Sequence, residues 1–262
     1  MNILHVGDMA GVASITANIC SKLGHPSVVI RDDGRDSWNH GDYYGNTLEN
    51  VDFDTMIKAI EKCIDSYDHI VYHDRYNAAL ALDHYHKPSS YMFHGNMLRQ
   101  NPRIYDDICN LESVDNMFVT TEDLLRYAPE AKLFHRPVDM ELFNERDIPR
   151  QQIGLCLTQD RYLPFVRDML RGNETGIFIM DRVKNNVNYE EMGNLLNSYS
   201  VYYDIKYQPT HPPTMIEELS QTGLQALACG IPVWSCGKWH SKFPEEHDDE
   251  MSAREFIKVL QE

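Results

Sequence analysis

The sequence predicts an α/β fold of two successive units, each built on a parallel sheet with helices on both faces. Three observations carry that expectation. Short apolar runs alternate with amphipathic stretches of helical period; the alternation breaks across Arg136–Arg150, where Pro137 and Pro149 sit among mixed charges; and it restarts beyond. A strand followed each time by a helix is the signature of parallel pairing, because parallel neighbours need a crossover connection. A chain of 262 residues suits one large unit or two compact halves.

In order, residues 2–6 read as a strand, 7–11 as a turn, 12–23 as an amphipathic helix closed by Gly24, and 27–30 as the next strand. Residues 32–52 are polar and glycine-containing, the composition of a long loop. A helix over 54–66, a strand over 69–72, a helix over 77–85 and a strand over 90–93 follow. The first half closes with a helix over 104–111, a strand over 116–120, a helix over 122–127 and a strand over 132–134. After the candidate linker come strands at 153–157, 176–180, 200–205 and 231–234. Helices are expected at 163–170, 190–197, 220–229 and 252–260. The domains are therefore drawn at 1–145 and 150–250, with 252–262 as a terminal helix.

Hydrophobic residues make up 42% and charged residues 24%, a globular balance that excludes a disordered chain. The net charge of −16 argues against nucleic acid as a general partner. No run approaches the roughly 18 apolar residues of a membrane span, and the start has no basic leader, so a soluble cytoplasmic protein is expected. The six cysteines form no CxxC pair and mostly lie in apolar runs, as reduced core thiols do.

Ligands of parallel α/β sheets bind outside the carboxyl ends of the strands. Four turns there carry unusual residues: 7–11, 94–99, 158–161 and 217–223. The first, GDMAG, is not a GxGxxG dinucleotide turn; Gly11 either serves packing or lets a substrate approach the backbone. In the last, Ser220 is placed to cap a helix and to leave the N–H groups near Thr222 and Gly223 for phosphate oxygens. A helix end supplies only about half a positive charge, so cations are needed as well. Arg161 and Lys184 are the candidates. No CxxC pair and no HExxH motif occurs, and no metal is expected.

Glu217 followed by Gly223-Leu-Gln225-Ala-Leu-Ala-Cys-Gly-Ile-Pro232-Val233 resembles the donor-site signature of the retaining glycosyltransferases of family four, which have the GT-B fold. Arg136-Pro-Val-Asp139 with Leu142-Phe143, Thr120 to Leu124, and His94-Gly95 with Arg99 are similar to further elements of that family, in the same order. The chain is thus identified as a small archaeal, bacterial or viral type of member. The resemblance implies two Rossmann-like domains facing each other across a cleft, with the terminal helix crossing back to the first. The second domain would hold the nucleotide-diphosphate sugar, and the first an unidentified sugar, glycan, lipid or small-molecule acceptor. The donor is a substrate; neither cofactor nor metal is implied.

By the same resemblance Glu217 binds hydroxyls of the transferred sugar, and His94 faces the donor sugar. Arg161, Lys184, Thr222 and Gly223 stabilise the departing diphosphate. Gln225 stands where the family has a second glutamate and faces the ribose; losing the charge costs about 1 kcal/mol of donor binding. His73-Asp74 is a second polar pair placed to meet the acceptor. In the tail, Trp239 and Phe243 read as packing residues and 245–250 as a solvated acidic face. A non-catalytic sugar-nucleotide binder and a sugar-nucleotide epimerase are the alternative readings.

Overall fold

In a computed structural model, which describes residues 1–8, 11–32, 43–158, 163–170, 176–185, 187–205, 207–208, 214–215 and 218–262, the alternation resolves into two parallel sheets. The chain divides into two compact units, residues 1–137 with 249–262, and residues 138–248.

The first unit carries strands β1 (Ile3–Val6), β2 (Ser27–Asp32), β3 (Thr47–Val51), β4 (His69–His73), β5 (Ser89–Phe93), β6 (Val114–Val119) and β7 (Lys132–Leu133). They lie in the order β3-β2-β1-β4-β5-β6-β7, and every neighbouring pair is parallel. This is a doubly wound, Rossmann-type order that reverses between β1 and β4. Its helices are α1 (Val12–Lys22), α2 (Phe53–Cys63), α3 (Tyr76–Leu82), α4 (Asn96–Gln100) and α5 (Arg103–Cys109).

Strand alternation sorts the two faces of this sheet. Leu4, Val6, Ile70, Tyr72, Tyr91 and Phe93 share one core with Met56 and Ile60 of α2 and Leu82 of α3. Ala13 and Ala17 of α1 pack on Val29 from the other side. The last helix of the chain (Asp249–Gln261) belongs to this unit too. Its Phe256 lies 5.4 Å from the rings of both Phe118 and Phe134 and 6.2 Å from that of His5, and the Ser252 hydroxyl donates to the His135 carbonyl. The terminal helix thus joins the first domain, in accord with the sequence reading.

The second unit is built on β8 (Gln151–Thr158), β9 (Ile177–Asp181), β10 (Tyr199–Tyr203), β13 (Val233–Ser235) and β14 (Lys238–His240), ordered β14-β13-β10-β8-β9. All pairs are parallel except β13 with β14. A short antiparallel pair, β11 (Tyr207–Gln208) and β12 (Thr214–Met215), stands apart. The helices are α6 (Leu163–Met169), α7 (Arg182–Asn185), α8 (Tyr189–Asn197) and α9 (Gln221–Ala228), so that the terminal helix is α10.

Several details depart from the sequence reading. Part of the expected loop 32–52 is strand β3, whose ladder partner β2 supplies the order that its polar residues do not advertise. The segment 122–127 is a 3₁₀ turn. Residues 138–150 belong to the second unit: Val138, Leu142 and Phe143 are buried, the Phe143 ring meets Tyr189 edge-on at 5.4 Å, and the Arg146 amide donates to Asn197 Oδ1. Trp239 is 59% exposed on the edge strand β14, yet one side of its ring packs edge-on against Tyr203 at 6.3 Å. All six cysteines are free; Cys20, Cys156 and Cys229 are buried, whereas Cys109 is exposed. Among the described residues no helix is long and apolar enough to cross a membrane.

Candidate functional site

The first unit collects its polar residues at the reversal of strand order. β1 ends in Gly7, whose φ of +86° lies in the left-handed region that glycine tolerates. A Cβ at Gly7 would stand 2.7 Å from Arg75 Cγ, so Arg75, arriving from the end of β4, lies directly over it. Asp8 is buried, and its carboxylate accepts from the amides of Ala13 and Ser14 and from the Ser14 hydroxyl. It thereby answers the orphan donors at the start of α1. Gly11 is the N-cap of that helix at φ 77°; this conformation is reason enough for a glycine there.

β4 ends in His73, followed by Asp74 at φ +52°, an uncommon conformation for a residue with a side chain. Asp74 Oδ1 accepts from the His94 amide at 3.1 Å, tying the end of β4 to the end of β5. Burial pushes the Asp74 carboxyl up to about 6, against the opposing pull of that amide and of Arg75 and Arg99. Arg99 is itself committed: it grips Asp123 with two bonds of 2.7 Å and reaches the Thr121 hydroxyl at 3.1 Å.

His94 does not stand alone. Its Nε2 lies 3.0 Å from His73 Nδ1, and His73 Nε2 lies 2.9 Å from His5 Nδ1. His5 and His73 sit on the adjacent strands β1 and β4 and His94 directly follows β5, the next strand, with successive ring centroids 5.2 Å apart. His5 and His73 are fully buried and His94 is half-buried. Burial lowers all three: His94 to about 3, with Arg136 and Arg75 adding to it; His5 to about 3, with His69 adding to it; and His73 well below the ordinary range. The row is therefore neutral at physiological pH.

In the second unit the donor-like run folds as α9, a turn at Gly230 and strand β13. Ser220 is the N-cap, and its hydroxyl accepts from the Gly223 amide at 2.9 Å. This corrects one expectation: the Gly223 N–H is satisfied within the chain and is not left for phosphate. A second anion is already in place. Asp204, at the end of β10 and 3% exposed, accepts from the Ser220 amide at 2.6 Å, and its Oδ2 lies 2.5 Å from where a Cβ on Gly223 would stand. Glycine at 223 does admit an anion to the helix start, and the anion is the protein's own. Thr222 is half-buried, and Gln225 is buried one turn into the helix.

Ser220, Thr222, Gly223 and Gln225 thus share one helix with Asp204 at its mouth. Lys184 is exposed on α7, after β9, which lies two places from β10 in the sheet; its amide donates to Asp181 Oδ1. Glu217 and Arg161 lie outside the described residues. Sequence reasoning missed Asp204, Asp8, Arg75 and His5. The sequence reading singles out His73 with Asp74, and HIVYH places His69 and His73 on one strand face, but nothing in the sequence ties His5 to them.

Alanine in place of glycine inside a helix ordinarily stabilises by about 1 kcal/mol. At Gly223 the new methyl displaces the Asp204 carboxylate from a charge-assisted bond worth about 2 kcal/mol. Gly223→Ala is expected to lower stability by about 1 kcal/mol, and to raise it once Asp204→Ala has removed the obstacle. Chemical denaturation of the two single variants and the double variant measures both.

No protein-family model matches the chain, and no curated protein does. Solved structures do. The chain is similar over 100% of its length to Anabaena HepE in complex with UDP-glucose, at 11% identity and a TM-score of 0.63, covering 91% of that protein. It is also similar over its whole length to the spinosyn rhamnosyltransferase SpnG complexed with thymidine diphosphate, at 10% identity and a TM-score of 0.51, covering 92%. The chain has the GT-B fold. At such identities the likeness is one of architecture: two Rossmann-like sheets and a terminal helix in the first GT-B domain. Parallel α/β sheets in general present ligand sites at such strand ends.

Proposed function

We propose that the chain is a retaining glycosyltransferase that moves a sugar from a nucleotide-diphosphate donor to an acceptor hydroxyl. One observation carries the reading: the donor-like run Gly223–Val233 forms the helix, turn and strand at the carboxyl end of β10, within a chain of GT-B fold. That HepE is seen in complex with UDP-glucose and SpnG with thymidine diphosphate supports a ligand of that class. Glu217 would hold the sugar hydroxyls and Gln225 the ribose. A retaining displacement on one face needs no carboxylate nucleophile, so catalysis rests on electrostatic support of the leaving diphosphate.

Asp204 changes how that support is divided. A phosphate charge brought within roughly 4 Å of a carboxylate is opposed by about 4 kcal/mol at an effective dielectric near 20. The helix end returns at most about 2 kcal/mol. Arg161 and Lys184 therefore carry the diphosphate, with Ser220 and Thr222 as neutral partners. Asp204→Asn keeps an acceptor for the Ser220 amide and removes the charge. It is expected to tighten nucleoside-diphosphate binding about tenfold, equivalent to about 1.4 kcal/mol, by titration calorimetry.

The reading as a whole is tested by thermal shift against UDP-, GDP-, dTDP- and ADP-sugars, followed by turnover of any hit. A true donor at 100 times its Kd stabilises by about 2.7 kcal/mol. A protein that no member of the panel stabilises is not a nucleotide-sugar enzyme of this kind. Gln225 and the carboxylate at the start of α9 favour a second reading, a nucleotide-sugar binder without transfer activity. Stabilisation by a donor with neither transfer nor hydrolysis would select it.

A further inference from the structure

The histidine row obeys a constraint that a single histidine does not. Each neutral imidazole has one N–H and one lone pair, so two contacts between ring nitrogens in series permit only two proton arrangements. In one, His5 donates from Nδ1 to His73 Nε2, His73 donates from Nδ1 to His94 Nε2, and His94 is left with an N–H at Nδ1. In the other every proton sits on Nε2, and His94 presents a bare lone pair at Nδ1. Three protons are present in both.

The closed end of the row decides between them. His5 Nε2 is buried and has no hydrogen-bond partner among the described residues. The second arrangement would place an N–H there with nothing to receive it, and orphaned buried N–H groups are rarer than under-satisfied acceptors. The first arrangement leaves only a lone pair against the apolar wall, where the Phe256 ring stands 6.2 Å from that of His5. Charge offers no third arrangement: Arg75 acts electrostatically on His73 and His94 and Arg136 on His94, and His5 and His73 are buried, so a shared extra proton is disfavoured.

We propose that His5 and His73 are positioning residues that lock His94 as a neutral Nδ1–H tautomer, so that His94 donates a hydrogen bond to a ligand oxygen instead of taking a proton from the acceptor. The ligand group it suits is an oxygen lone pair, of a sugar hydroxyl or a phosphate. A neutral donor costs no charge reorganisation as the leaving group departs. The consequence for the reaction rests on the reading of the chain as a glycosyltransferase; the tautomer does not.

The test uses the full chain with ¹⁵N-labelled histidine and long-range proton–nitrogen correlation at about pH 7, with assignment by His94→Gln, His73→Phe and His5→Leu. The expected spectrum has His5, His73 and His94 protonated at Nδ1 and bare at Nε2. A proton on His94 Nε2, or an imidazolium above pH 6, overturns the proposal. His73→Phe severs the row: His94 then loses its single tautomer, and kcat falls about tenfold while the donor KM stays within about twofold. A folded His73→Phe protein with full kcat and an unchanged His94 tautomer overturns it equally. Should that variant not fold, the wild-type spectrum alone decides. Failure to transfer any sugar would remove the proposed function and leave the spectroscopic result standing, so the two readings fail separately.

Discussion

Acidification from pH 7 is expected to unfold the first unit by about pH 5 to 4, far above the range in which ordinary carboxylate pairs fail. The cause is four histidines on one sheet. His5 and His94 are lowered by burial to about 3, His69 to about 4, and His73 well below its ordinary value of 6.5. Each binds its proton in the unfolded chain near pH 6.5 and resists it in the folded one. Between those pH values the unfolded state holds more protons, so stability rises with pH and is fully present only above about 6.5. Each ring adds up to about 1.4 kcal/mol per pH unit, and four set an upper bound of about 5 kcal/mol per pH unit.

One group opposes this. Asp74 is raised to about 6 from 3.8, so the folded state gains its proton first. Its contribution is fully present below about 3.8 and is lost as pH rises through 6. Between those values it offsets about one of the four histidines, leaving a bound near 4 kcal/mol per pH unit. Two pH units at that bound remove up to about 8 kcal/mol, enough to unfold a domain in the lower half of the typical range of about 5–15 kcal/mol. Thermal melts from pH 7.5 to 4.5 measure the slope; His5→Gln, with one titration removed, should reduce it by about a third below pH 6, where Asp74 opposes the histidines. A melting temperature that stays flat between pH 7 and 5 contradicts the buried neutral row.

These histidines also show where sequence legibility ends. That His69 and His73 share a strand face follows from the period of two in HIVYH. That His73 meets His5 and His94 requires the strand order β1-β4-β5, which brings together residues 68 and 21 positions apart. The same limit applies in the second unit. Ser220 as a cap is legible, because a serine directly precedes an apolar helical run. Asp204 is not, since it reaches the Ser220 amide from a different strand end, 16 residues away. Strand β3, with Glu49 and Asn50 in it, owes its state to pairing with β2 and not to propensity. Helix α4 is five residues long, too short to show a period. Residues 138–150 have the prolines and charges of a linker, and only the burial of Leu142 and Phe143 reveals them as part of a core.

Glu217→Ala is expected to lower donor turnover by a factor of about 10² to 10³, corresponding to about 3–4 kcal/mol of transition-state stabilisation, with the melting temperature near that of the wild type. The size follows from the role proposed for Glu217. A carboxylate bonded to sugar hydroxyls makes charge-assisted bonds, roughly twice as strong as neutral ones, and those bonds strengthen as positive character develops on the sugar ring. Gln225→Glu supplies the contrast. In the proposed site it would restore a charge next to the ribose, outside the reacting centre, so it should change the donor KM several-fold while leaving kcat nearly constant, the mark of uniform binding. Gln225 is buried, and an added carboxylate that found no hydroxyl partner would instead cost stability. Steady-state kinetics on both variants separates the roles. Full turnover by Glu217→Ala would remove the residue from the donor site, and with it the strongest reason to read the segment before α9 as the part of the chain that recognises the sugar.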